Sequence, residues 1–197
     1  IVEDPIESKL LFLATDDGLY ISTNPGKYCN KWTAGFPSVS VKDLVIHPRE
    51  HDLIIGTFGR AAWVLDDIRP LREMARDNNL INKTLHVFQP PPAYLASYQQ
   101  PTGSRFGADA MFNGKNRKRG AHFQFYIRNV KAINKENKIK TSENTQNKIQ
   151  WDSIAFDIFD GERRIRTLKQ KAPKLNGIYQ ASWDMTEKGV VRPSRTI

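Results

Sequence analysis

Apolar and β-branched residues fall in short runs along this chain, broken by Gly, Pro, Asn and Asp, and seldom at helical spacing. Residues 10–14 predict a strand, Thr15-Asp16-Asp17-Gly18 a tight turn, and residues 19–22 the return strand. Asp-Gly suits that turn because it supplies left-handed backbone conformations. Thr23-Asn24-Pro25-Gly26 predicts a second turn and Lys31-Trp32-Thr33 a third strand. After Gly35-Phe36-Pro37-Ser38 the cycle restarts, with a strand over 41–47 and a turn at Pro48-Arg49-Glu50-His51. Strands over 53–57 and 61–65 follow, reversed at Phe58-Gly59-Arg60. Two tandem triplets, each with a Gly-containing turn and a Trp, make an internal repeat of roughly 40 residues, a period that points to propellers or solenoids.

The texture then changes. Residues 70–76 (PLREMAR) predict a short helix, with Pro in the first turn where its missing N–H costs nothing. Residues 85–88 and 93–98 predict edge strands around Pro90-Pro91-Pro92, and residues 99–120 an irregular linker. Residues 122–128 alternate as a half-buried strand does, while 131–150 are nearly all polar and predict an exposed loop or hairpin. Residues 151–159, 162–168 and 177–183 predict three antiparallel strands, the first two joined at Asp160-Gly161. That is a β-sandwich pattern. The expected fold is all-β, with domains over 1–79 and 121–197 joined by a connecting segment over 80–120.

Charge sharpens this division. The net charge is +9, but residues 1–80 carry 9 Lys/Arg against 12 Asp/Glu, a balance of −3, and residues 81–197 carry 21 against 9, a balance of +12. Two units with different surfaces are expected. No apolar run approaches the roughly 20 residues of a membrane-spanning helix. The single cysteine, Cys29, makes no internal disulfide, and His47, His51, His86 and His122 lack ligand spacing, so neither a metal nor a cofactor is expected.

The segment GLYISTNPG…W resembles the Asp-box of bacterial neuraminidase repeats (BNR), usually Ser-x-Asp-x-Gly-x-x-Trp. Ser22, Gly26 and Trp32 stand in place, Asn24 replaces Asp, and extra residues push the Trp away. The longer run LFLATDDGLYIS…GFPSVSVKDLVIHPREHDLIIGTFGRAAWVLDDIRPLRE is similar to the last blade region of bacterial sortilin-like propeller proteins, often labelled glycosyl-hydrolase-like. Members usually read Gly-Thr-His-Gly-Arg, and Phe58 takes the His position here. FNGKNRKRGAHFQFYI resembles the passage into a second domain, with Arg117-Lys118 where prolines are usual. IAFDIFDGERRIRTL…NGIYQASWDMTEKGVVRPSR resembles the immunoglobulin-like domain that follows, of the kind also seen in flagellar-hook-capping proteins. The resemblance implies a terminal β-propeller blade region over 1–79, then an immunoglobulin-like β-sandwich over 121–197, truncated, in the C-terminal part of a larger extracytoplasmic protein. Its partners would be the rest of that propeller and a carbohydrate or protein ligand.

A glycosidase needs two carboxylates facing each other across a sugar, roughly 5–10 Å apart. Asp16-Asp17 and Asp66-Asp67 are neighbours on extended chain and point to opposite faces, so neither makes that dyad by itself. The first pair reads as turn residues, the second as a strand end capping the helix. No catalytic residue is assigned. The alternative is a sialidase-like glycoside hydrolase whose catalytic residues lie mostly in upstream blades. Arg60 and Trp63 are the binding candidates, a guanidinium for charge and an indole for stacking. The structural reading is favoured over this one: Arg60 pairs with a neighbouring blade's acid and Trp63 fills the blade core. Lys115 to Arg119, among aromatics of strand spacing, is a solvated basic linker before it is a nucleic-acid surface.

Overall fold

The computed structural model describes residues 1–95, 117–128 and 152–187. These form antiparallel β-structure with one α-helix, as an all-β sequence should. The chain divides into two compact units, Ile1–Phe88 and Gln89–Ile197.

The first unit opens with a four-stranded meander, β1 (Val2–Glu3), β2 (Leu11–Thr15), β3 (Gly18–Ser22) and β4 (Asn30–Lys31), in sequence order. A second meander repeats the plan over β5 (Val41–Ile46), β6 (Leu53–Thr57) and β7 (Ala62–Leu65). β2 and β5, the leading long strand of each meander, lie against each other. The tandem triplets of the sequence are therefore tandem sheets. β1 was not foreseen, since its two residues carry no pattern. The third strand of the first triplet is shorter than expected, with Trp32 and Thr33 outside it.

Strand period decides which faces are buried. In the second meander, cross-strand rows place Leu44, Ile55 and Trp63 together, and Ile46, Leu53 and Leu65 together. Leu44, Leu53 and Ile55 are at most 5% exposed, and Phe36 meets Trp63 edge to face with centroids 5.4 Å apart. The opposite face carries the row Val45, Ile54 and Val64. In the first meander Phe12, Leu19 and Ile21 are buried, at about 1.5–3 kcal/mol for each large side chain fully withdrawn from water.

Helix α1 (Arg69–Arg76) follows, with Pro in its first turn as expected. Its N-cap is Ile68, which contributes no side-chain hydrogen bond, so the expected aspartate cap is corrected. Asp67, one residue earlier, takes the Arg69 N–H at 3.3 Å and the Arg69 Nε at 2.5 Å. A short strand, β8 (Leu85–Val87), comes after a 3₁₀ turn over Leu80–Asn82. Residues 93–95 are not strand, a second correction, and the Pro90-Pro91-Pro92 run before them supplies no N–H for a ladder. The rest of that expected strand, most of the linker and the polar stretch 131–150 lie outside the described residues.

In the second unit, β9 (Ala121–Ile127) pairs antiparallel with β12 (Gly177–Trp183), and β10 (Ser153–Asp160) with β11 (Arg163–Lys171). The two-residue turn between β10 and β11 is Gly161-Glu162, one position later than predicted, because Asp160 and Arg163 still pair. Phe125, Ile127, Ile154, Ala172 and Ala181 form the core, with Phe123, Phe156 and Tyr179 packed on it. Phe156 meets both Phe123 and Phe125 at 5.2 Å between centroids. The two strand pairs thus bury their inner faces against each other.

Candidate functional site

The Asp-box-like residues gather in the turn after β3. Ser22 ends that strand fully buried, and its Oγ receives the Gly26 N–H at 3.2 Å and the Asn24 N–H at 3.4 Å. Asn24 Oδ1 accepts from Ser22 Oγ at 3.1 Å and from the Tyr28 N–H at 3.0 Å. The two side chains thereby satisfy a turn that has no ladder partners, and Gly26 fills its left-handed position at φ +74°. Trp32 stands apart from this network, tied through its backbone N–H to the Leu19 carbonyl at 2.8 Å. Acceptance by Asn24 Oδ1 is what the turn uses, and an amide oxygen supplies it.

Arg60 and Trp63 lie at the reversal between β6 and β7. Gly59 (φ +80°) and Ala61 (φ +56°) both adopt left-handed backbone, closed by Thr57 donating to the Ala61 carbonyl from N at 3.1 Å and Oγ1 at 2.6 Å. The Trp63 Nε1–H donates to the Arg60 carbonyl at 3.0 Å. The polar edge of the indole is therefore used inside the hairpin, while its ring meets Phe36. The Arg60 side chain is exposed beside Phe58, which is 74% exposed. The two candidates are joined through backbone, and only Arg60 projects freely.

The aspartate pairs separate. Asp17 receives Lys31 Nζ at 2.7 Å and Tyr20 Oη at 3.1 Å. Asp16 receives Lys42 Nζ at 2.9 Å and Ser40 Oγ at 2.7 Å, which ties the first hairpin to the start of β5. These partners, led by the lysines, hold both carboxyls below their ordinary range. Two ionised, already bonded carboxylates on a turn are not an acid–base couple.

A network that sequence reasoning missed lies at α1. Arg69, Arg72 and Arg76 share one helix face, and each has an acid: Asp67, Asp4 and Glu7. Arg72 is fork-bonded to Asp4, with Nε at 2.9 and 3.0 Å and Nη2 at 2.8 Å. Asp4 is 2% exposed and also accepts the N–H groups of Ile6 (2.9 Å) and Glu7 (2.8 Å). Arg76 holds Glu7 below its ordinary value through a 2.8 Å bond. The available signal was the i, i+3, i+7 spacing of three arginines; nothing in the sequence marked Asp4 as their partner.

His51 closes the turn before β6 at φ +59°, and its Nδ1 is buried without a hydrogen bond among the described residues. Burial, then Arg72 and Arg69, lower its pKa against the opposing pull of Asp67 and Asp4. Among the described residues no three His, Cys, Asp or Glu gather to hold a metal, and no helix is long and apolar enough to cross a membrane. Cys29 is exposed and unpaired. Comparison with family models, curated proteins and solved structures returned no match to this chain.

Proposed function

We propose that the first unit is blade structure from a sortilin-like, BNR-type β-propeller acting outside the cytoplasm, and that it serves as non-catalytic scaffold for binding protein or carbohydrate. The second unit is read as the accompanying immunoglobulin-like domain. The observation that carries this reading is the two-faced second meander. One face is buried through Leu44, Leu53 and Ile55, yet Val45 and Val64, across Ile54 on the other, are 51% and 56% exposed. A sheet with polar solvent on one side alternates apolar and polar residues; one stacked between two sheets is apolar on both. The bonded Ser22–Asn24–Gly26 turn supports the BNR likeness. Ligand would meet the scaffold at the exposed Phe58 and Arg60.

Sedimentation velocity on the chain and on a Val45→Glu/Val64→Glu variant tests this. The expected outcome is concentration-dependent self-association of the parent, and a monomeric variant with unchanged Tm. A parent that stays monomeric at every concentration, or a variant that unfolds, overturns the reading.

A further inference from the structure

We propose that the outer face of the β10–β11 hairpin binds an acidic saccharide, with Arg164 and Lys169 taking its carboxylate groups and Asp157, Thr167 and Phe159 its neutral parts. The face follows from register. Ile154, Phe156 and Ile158 alternate toward the core side, so Ala155, Asp157 and Phe159 point away, opposite Lys169, Thr167 and Arg164. A bulge between Ile158 and Phe159 skips Ile165 and so turns Arg164 onto the outer face with Lys169. Without it, Arg164 would stand on the core side.

An open hollow of about 860 Å³ lies over this face, lined by Ala155, Asp157, Arg164, Ile165, Arg166, Thr167 and Lys169. That volume is within the range of small-molecule sites. The neighbouring cations are committed elsewhere: Arg163 to Glu187 at 2.5 Å, and Arg166 to Thr186 Oγ1 at 3.0 Å. Arg164 and Lys169 are exposed and make no such contact among the described residues.

Composition of the wall selects the ligand. A surface for nucleic acid or a densely sulfated chain is dominated by cations, and a carboxylate set between them weakens its hold on the anionic backbone. Here Asp157 sits between the two cations, kept in place by the Thr167 hydroxyl, which donates to its Oδ1. A carboxylate accepts from sugar hydroxyls, and two well-spaced cations pair with uronate-type carboxylates. Phe159 is 56% exposed directly opposite Arg164, and offers an apolar face to a pyranose ring. The site is confined to the second unit and is independent of the propeller reading, so the self-association experiment leaves it untouched.

Isothermal titration at low salt with trigalacturonate tests it, beside neutral galactotriose, a hexaglutamate peptide and the oligonucleotide (dT)6. Trigalacturonate is expected to bind, galactotriose at least about tenfold more weakly, the scale of one charge-assisted hydrogen bond. Arg164→Ala and Lys169→Ala should each weaken binding by about tenfold, with circular dichroism unchanged because both side chains are exposed. No binding of trigalacturonate overturns the proposal. So does equal or tighter binding of hexaglutamate or (dT)6, which would mark a general basic surface. Retained affinity in the double variant places the site elsewhere and overturns it too.

Discussion

Arg72 in the first unit and Arg164 in the second are the same side chain beside antiparallel strands, yet Arg72 is 4% exposed and Arg164 stands in solvent. The contrast extends to whole units. Residues 1–80 are slightly acidic and bury one ion pair, Asp4–Arg72, beside the more exposed pairs Asp67–Arg69 and Glu7–Arg76 on the same face of α1. Residues 81–197 are strongly basic and close an apolar core, leaving charge on the outside of β11. Buried charge specifies geometry because both partners must be present and bonded; exposed charge constrains the fold little and stays open to ligands.

The largest test of this contrast is Asp4→Ala. It strands a buried guanidinium and orphans the Ile6 and Glu7 N–H groups, so a loss of about 3–5 kcal/mol is expected in urea unfolding followed by tryptophan fluorescence. A loss under about 1 kcal/mol would show that the pair is ornamental. A smaller effect is expected from acid. The folded-state pKa of His51 is lowered, so the unfolded chain takes up its proton first as pH falls below about 6.5. Stability is present in full above that value and declines as pH drops toward the folded-state pKa. His51→Asn, which tolerates the left-handed backbone and cannot titrate, should flatten the Tm profile across that window. An unchanged slope would acquit His51. The least effect is expected from Lys42→Ala, since its bond to Asp16 lies in solvent: Tm should not move measurably, and a clear drop would mean that exposed charge matters here too.

Much of the fold was legible because strand period and turn chemistry are local. Thr15-Asp16-Asp17-Gly18, Phe58-Gly59-Arg60 and the strand over 177–183 were readable from neighbours alone. What escaped was non-local or weakly coded. β1 is two residues long and exists through pairing with Phe12 and Leu11. The β10–β11 turn moved by one residue because cross-strand pairing, not the Asp-Gly dipeptide, set it. At the candidate sites, the turn over Thr23-Asn24-Pro25-Gly26 was readable from its residue types, whereas the use of the Trp63 N–H within its own hairpin was not. Asp4 and Arg72 are 68 residues apart, and no sequence pattern links them.

That separation has a meaning in time. The Asp4–Arg72 bond ties together the two ends of a segment containing β2 to β7, so its formation is favoured once those strands have paired and brought the ends close. Closing so long a loop costs entropy that only prior local structure can reduce. The pair is therefore expected to form after the folding barrier, so Asp4→Ala should leave the folding rate nearly unchanged and speed unfolding, as stopped-flow kinetics would show.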